Sequence, residues 1–286
     1  MIRNAFTVDL EDWYQGIEMP YDSWSTYEKR VEVGMNALLQ LLSDSDTKAT
    51  FFTLGWIAEK YPNMIKQLSE AGHELASHGY SHEKVYNLKP DAFREEIRRT
   101  KSVIEDLTGN RVVAYRAPFF SITVDSLWAL SILREEGHTI DCSISPVKTW
   151  RYGIASSPDH IYNISDIDLI EFPVSTFSFL NKKLALGGAY FRLFPYSISH
   201  HNYKKKNKTE EYSMFYIHPW EYDPEHPYEK KMERKARFTH YHNLKKTYAN
   251  TRKLLSSFKF TTVSETIQNY RSQHDVTKLQ LEDLYD

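Results

Sequence analysis

The stretch ATFFTLGWIAEKYPNMIKQLSEAGHELASHGYSH, residues 49–82, decides how the chain folds. It opens on a β-rich run, ATFFTLG (49–55). Residues 56–71 then place apolar side chains at three- and four-residue spacing, and a second β-rich run follows, HELASH (73–78). Strands that alternate with helices pair in parallel, because each helix carries the chain back to where the next strand starts. The alternation extends in both directions. Further β-rich runs lie at 5–10, 111–117, 139–145, 168–175, 213–219 and 258–264, with helical spacing at 30–42, 90–108, 123–136 and 240–257. The 90–108 segment has Pro90 at its start and Gly109 just past its end, the usual asymmetry of a helix. Repeated units without a low-complexity spacer predict an α/β fold, a distorted (β/α) barrel in a single domain. Residues 146–167 read as a long loop, and the polar tail 271–286 as a peripheral helix.

Composition sets the bounds. The 36 basic and 38 acidic side chains nearly cancel in 286 residues, which leaves no field to attract nucleic acid or an anionic membrane. Cys142 is the only cysteine, so no internal disulfide forms and a reducing compartment is expected. The opening MIRNAFTVDLEDWYQG has no apolar run of signal-peptide length, and no apolar stretch reaches the roughly eighteen residues of a membrane span. The expectation is a soluble, cytoplasmic protein with no transmembrane segment and no nucleic-acid partner. The oligomeric state is left open.

Parallel barrels collect functional groups at the C-terminal ends of their strands, which share one face. Asp9, Glu11 and Asp12 follow the first run, His78 and His82 the third, and Arg116 the fourth. Asp141 lies in the fifth run, and His218 ends the seventh. His78 and His82 are four apart, on one face of a helical turn, and with a carboxylate they suit a divalent metal. A carboxylate held beside the metal, Asp9, suits a general base on water, with Glu11 or Asp12 as the carboxylate ligand. Arg116 suits an orienting partner for Asp9. His218 suits a proton donor to a leaving amine, since imidazole titrates near neutrality. His73, before its strand, reads as structural and Cys142 as a small buried residue. Asp141 is either a turn cap or a partner of a histidine or arginine.

The segments FTVDLEDW, SHGYSH, YRAPFF, DCSISP and FYIHPWE occur in the order of the motifs of the polysaccharide deacetylases (NodB homology domain, carbohydrate esterase family 4), and the chain resembles that family over roughly residues 1–265. It looks most similar to the branch associated with exopolysaccharide and cell-surface glycan biosynthesis. The resemblance implies a catalytic domain over 1–270 and a mononuclear divalent metal, zinc by family habit. It also implies hydrolysis of the acetamide of an N-acetylated amino sugar, in a glycan or glycan precursor, with release of acetate. Asp9 then corresponds to the base, His78 and His82 to metal ligands, Arg116 to the tether of the base and His218 to the acid, with Ile217 as an apolar wall. The common Asp-Asp-Gly pattern is broken by Leu10, which moves the third ligand to Glu11 or Asp12. The Asp141 motif departs furthest from the family pattern.

Substrate contacts are expected at Phe119, whose backbone N–H suits an oxyanion, and at Trp220, as a stacking face. The aromatic loop near Trp150 and Tyr152 is a further stacking candidate. The run YKKKNKTEE (203–211) reads as a solvated connector, with contact to the phosphate of a lipid- or nucleotide-linked sugar substrate as the minority reading. The rival functions are a cyclic-amide amidase of allantoinase type on the same barrel, a glycosidase that leaves the histidines idle, and an inactive glycan-binding protein.

Overall fold

In the computed structural model, which describes residues 2–147, 149, 152–180 and 182–285, one sheet runs through the molecule. Strand β1 (Arg3–Leu10) is followed by β2 (Thr50–Thr53), β3 (Glu74–Ser77), β4 (Ala114–Tyr115) and β5 (Ile140–Asp141), each parallel to the one before. Past β5, strand β6 (Tyr162–Ile164) returns antiparallel to β7 (Leu169–Glu171), which pairs in parallel with β5. A separate hairpin, β8 (Thr176–Phe179) and β9 (Lys182–Ala185), precedes β10 (Met214–Ile217), which lies parallel to β1 on its other side. Strand β11 (Lys259–Thr261) pairs with the start of β1, and β12 (Thr277–Leu279) with β6.

The barrel has a seam. No ladder joins β7 to β10 among the described residues; Met214 N–H donates instead to Ser175 Oγ at 2.8 Å. This is the distortion that the sequence predicted for an α/β barrel.

Alternation along the strands sorts the core. In β1, Phe6, Val8 and Leu10 pack outward against the helices Val31–Asp44 and Leu244–Ser257, in the largest apolar cluster. Ala5 packs inward with Phe52, Ala76, Ala114, Ile140, Cys142 and Met214. Small residues keep the interior narrow, and Cys142 is one of them.

Several expectations are corrected. The helix expected over 56–71 is two, Gly55–Lys60 and Pro62–Glu70, because Pro62 has no N–H to continue the first. The helix expected over 240–257 starts at Leu244, after Asn243 turns left-handed (φ 55°) behind a separate helix Arg234–Tyr241. Residues 203–208 belong to a helix, Tyr196–Lys208, rather than a connector; Lys205, Lys206 and Lys208 sit where its dipole favours cations. The loop expected over 146–167 contains β6. The tail after Tyr270 contributes β12 instead of a peripheral helix, and Leu284 is buried in the second apolar cluster.

Candidate active site

Three side chains converge at the C-terminal ends of β1 and β3. One donor atom each from Glu11, His78 and His82 lies within 4.8 Å of the others, and all three residues are buried. The two histidines do not share a helical turn. They flank a bend after β3, where Gly79 (φ 75°) and His82 (φ 58°) are left-handed. Glu96, on the helix Pro90–Thr108, pins that bend by accepting from Tyr80 N–H (2.7 Å), Ser81 N–H (2.9 Å) and Ser81 Oγ (2.7 Å). His78 Nδ1 donates to the Arg116 carbonyl at 2.8 Å, which leaves its Nε2 lone pair for a metal. His82 Nε2 lies 2.8 Å from Glu11 Oε2. Burial would raise the Glu11 carboxyl, but His82, His218 and His78 bring it down to about 2. Burial pushes His78 down to about 4, so it is neutral at pH 7. Two imidazoles and an ionised carboxylate form a donor set that fits a zinc-like ion.

The inward face of β1 carries the next group. Asp9 Oδ1 accepts from Arg116 Nη1 at 2.5 Å, and the same nitrogen reaches Thr7 Oγ1 at 3.0 Å. The Arg116 guanidinium is fully buried and lies over the Phe52 ring, 4.0 Å from its centroid. Arg116 thus fixes one Asp9 oxygen. The other, Oδ2, faces His218 Nε2 at 3.8 Å, and that nitrogen is also 3.7 Å from Glu11 Oε1.

His218 follows β10 and heads a short turn, Pro219–Tyr222. Glu221, three residues on, accepts from both the His218 backbone N–H (3.1 Å) and its Nδ1 (2.7 Å). The other Glu221 oxygen pairs with Arg192, whose Nη1 donates to the carbonyls of Thr239, His240 and His242. Burial alone would lower the His218 imidazole, yet Glu11, Glu221 and Asp9 raise it to about 9. Glu221 and Arg192 are absent from the sequence-based set. A glutamate three residues after a turn-opening residue is a capping pattern, and HPWE carried that signal.

Of the two acids left open, Glu11 joins the histidines and Asp12 does not. Asp12 caps the short helix Trp13–Gly16 and accepts from Trp13 N–H (2.8 Å), Arg30 N–H (2.8 Å) and Val31 N–H (3.1 Å). Trp220 is buried and not an open sugar platform: its indole N–H donates to Glu11 Oε1 at 3.0 Å. Its ring stacks on those of His218 and His240, with centroids at 5.0 and 4.0 Å. Phe119 is partly exposed and left-handed (φ 56°), with its ring 4.6 Å from that of His82. Asp141 points away from the barrel interior, toward Ser143 Oγ (2.5 Å) and Glu171, out of reach of His218. His73 is a neutral acceptor for Ala49 N–H, away from the site. Trp150 lies outside the described residues. Tyr152 packs with Tyr190 and Tyr216 around Phe120.

Residues 21–138 match the family model Polysaccharide deacetylase, and residues 142–268 match Domain of unknown function (DUF3473). A peptidoglycan-N-acetylglucosamine deacetylase of Bacillus cereus is 36% identical over 93 residues, 32% of this chain and 34% of that protein. A peptidoglycan deacetylase of Helicobacter pylori is 33% identical over 92 residues, 32% of this chain and 31% of that protein. The aligned stretches therefore span about a third of these curated relatives. Among solved structures, a Mycobacterium smegmatis protein assigned to the polysaccharide deacetylases superposes with a TM-score of 0.65 at 20% identity, covering 96% of this chain and 92% of that one. Puue allantoinase superposes with a TM-score of 0.60 at 16% identity, covering 96% and 92%. At these identities the two structures establish a shared fold and nothing finer.

Proposed function

We propose that this chain, whose residues 21–138 match the polysaccharide deacetylase model, is a hydrolase that removes the N-acetyl group from an amino sugar and releases acetate. The substrate is a glycan or its lipid- or nucleotide-linked precursor, of the kind used to build exopolysaccharides. One observation carries the reading: Asp9 Oδ2 and Glu11 Oε1 both lie within 4 Å of His218 Nε2, which brings the proposed base, metal-donor set and acid together at the strand ends.

Glu11, His78 and His82 would hold one divalent ion, zinc by the nature of the donors. When bound, it supplies Lewis-acid polarisation of the acetyl carbonyl. The protein's own groups do the proton work. Asp9, held by Arg116 through one oxygen, accepts a proton from the attacking water with the other. His218 Nε2 delivers a proton to the sugar nitrogen as the C–N bond breaks, so the amine leaves neutral. Tyr152, Tyr190 and Tyr216 are half-buried aromatic faces beside Phe120 and suit a sugar ring.

The test is acetate release from chitopentaose by zinc-loaded protein, with and without a chelator, run beside ring opening of allantoin. Chelator-sensitive acetate release supports the proposal. Ring opening without acetate release would transfer the site to cyclic amides. Absence of both activities, with zinc bound, would leave the glycan-binding reading.

A further inference from the structure

His218 is held by a buried relay that starts from another part of the chain. Its Nδ1 donates to Glu221 Oε1 at 2.7 Å, and the same carboxylate pairs with Arg192. Neither partner is accessible: Glu221 is 0% and Arg192 2% exposed. Arg192 is tied down in turn by the carbonyls of residues 239, 240 and 242, and its guanidinium lies 5.4 Å from the Trp220 ring centre. Two desolvated charges in contact cost folding free energy unless each is well paired, so such a pair is weak evidence for a stability role. Its geometry suits a different task. With Nδ1–H committed to a carboxylate, the ring has one orientation and presents Nε2 toward Asp9 and Glu11. Asp141 does not do this, because it faces the other side of β5.

We propose that Glu221, backed by Arg192, is the positioning residue for His218, and that the region of unknown function (142–268) thereby supplies the proton-donating half of the site. This rests on the hydrolase reading above. Glu221 never touches substrate and acts only through the imidazole.

The test compares two leaving groups on the same acetyl group. Chitopentaose expels an amine, which needs a proton; p-nitrophenyl acetate expels a phenolate, which does not. In Glu221→Gln the ratio of amide to ester kcat/KM falls about 100-fold, the order expected for a lost acid, and His218→Ala shifts the same ratio in the same direction. In the His218→Ala background, Glu221→Gln adds less than about threefold, because the two act as one unit. A second readout needs neither activity nor metal. In long-range 1H–15N spectra of zinc-free protein, the downfield Nδ1–H resonance of His218 moves upfield in Glu221→Gln, since its acceptor loses its charge. If Glu221→Gln does not fold, Arg192→Met with Glu221→Gln removes the orphaned cation and reads the same ratio. Equal losses on both substrates, additive effects with His218→Ala, or an unmoved Nδ1–H resonance would each overturn the proposal. Wild-type protein that hydrolyses neither substrate would sink the hydrolase reading instead, while the resonance would still report on the relay.

Discussion

Asp9, Leu10, Glu11 and Asp12 show how much one strand end encodes. Along β1 the side chains alternate, so Thr7, Asp9 and Glu11 fall on the inward face while Phe6, Val8 and Leu10 pack outward. The period of two continued through Leu10 therefore places Glu11, and not Asp12, beside His78 and His82. The spacing held that information, but both acids follow a strand whose end cannot be located from sequence to within a residue. Asp12 has its own task in capping. Burial pushes its carboxyl up to about 6, against three N–H donors that pull it down. Two substitutions separate the roles. Glu11→Ala should abolish zinc retention after dialysis, leaving the melting temperature of the metal-free protein little lower. Asp12→Ala should retain about one zinc per chain yet cost about 1–2 kcal/mol of stability, the range for a lost cap. Elemental analysis and thermal melts of both variants decide it. Zinc loss in Asp12→Ala alone would reverse the assignment.

At the scale of elements, the turn Pro219–Tyr222 carries more of the site than any strand. Its Trp220 holds Glu11, its Glu221 holds His218, and its backbone rests on the helix Val31–Asp44. Gly34 makes that contact possible: a Cβ there would lie 1.9 Å from the Pro219 carbonyl oxygen. Gly34→Ala is expected to push the turn outward and destabilise the protein by about 1–3 kcal/mol. A melting temperature within a degree of wild type would show that the turn yields freely. Trp220→Phe keeps an aromatic ring but removes the N–H donated to Glu11, the proposed metal ligand, so zinc affinity should fall about 10–100-fold with the fold intact. A competition titration against a chelating dye measures it, and unchanged affinity would make the indole a packing residue only. The sequence marked this element through HPWE but showed only His218 and Trp220 as chemical groups. What it could not show was Arg192, which reaches Glu221 across 29 residues through a packing arrangement with no periodic signature. The helix Pro90–Thr108 was legible to the residue, because proline, glycine and apolar spacing agree there. The helix over 56–71 was not, because Pro62 interrupts a pattern that otherwise continues.

Across the whole molecule, the site is assembled from chain positions 9 to 221 because parallel strands bring their ends to one face. That convergence could be read from the alternation of strands and helices. The groups on the barrel's other face could not, since Asp141 and Glu171 become neighbours only through the β5–β7 register. They form a buried carboxyl pair, with Asp141 also taking Ser143 Oγ and Glu171 taking Ile144 N–H. Burial first, and then Asp141, hold the Glu171 carboxyl well above its ordinary range; Arg116 opposes this, and the phenols of Tyr115 and Tyr162 lie nearby. Asp141 is also raised, chiefly by burial. The folded state therefore keeps a proton that the unfolded chain releases near pH 4.5. Stability from this pair is fully present below that pH and declines as pH rises toward the folded value. Asp12 adds a decline of the same sign, whereas Glu11 and Glu221, held low, contribute the opposite, so the pair is best isolated as a difference. Glu171→Gln keeps the oxygen that accepts from Ile144 and offers Asp141 an N–H in place of the shared proton. Its melting temperature relative to wild type should be near zero or below at pH 5 and increasingly positive toward pH 8. A difference that stays constant or shrinks across that range would mean that both carboxyls ionise in the folded state and that the barrel tolerates the two charges.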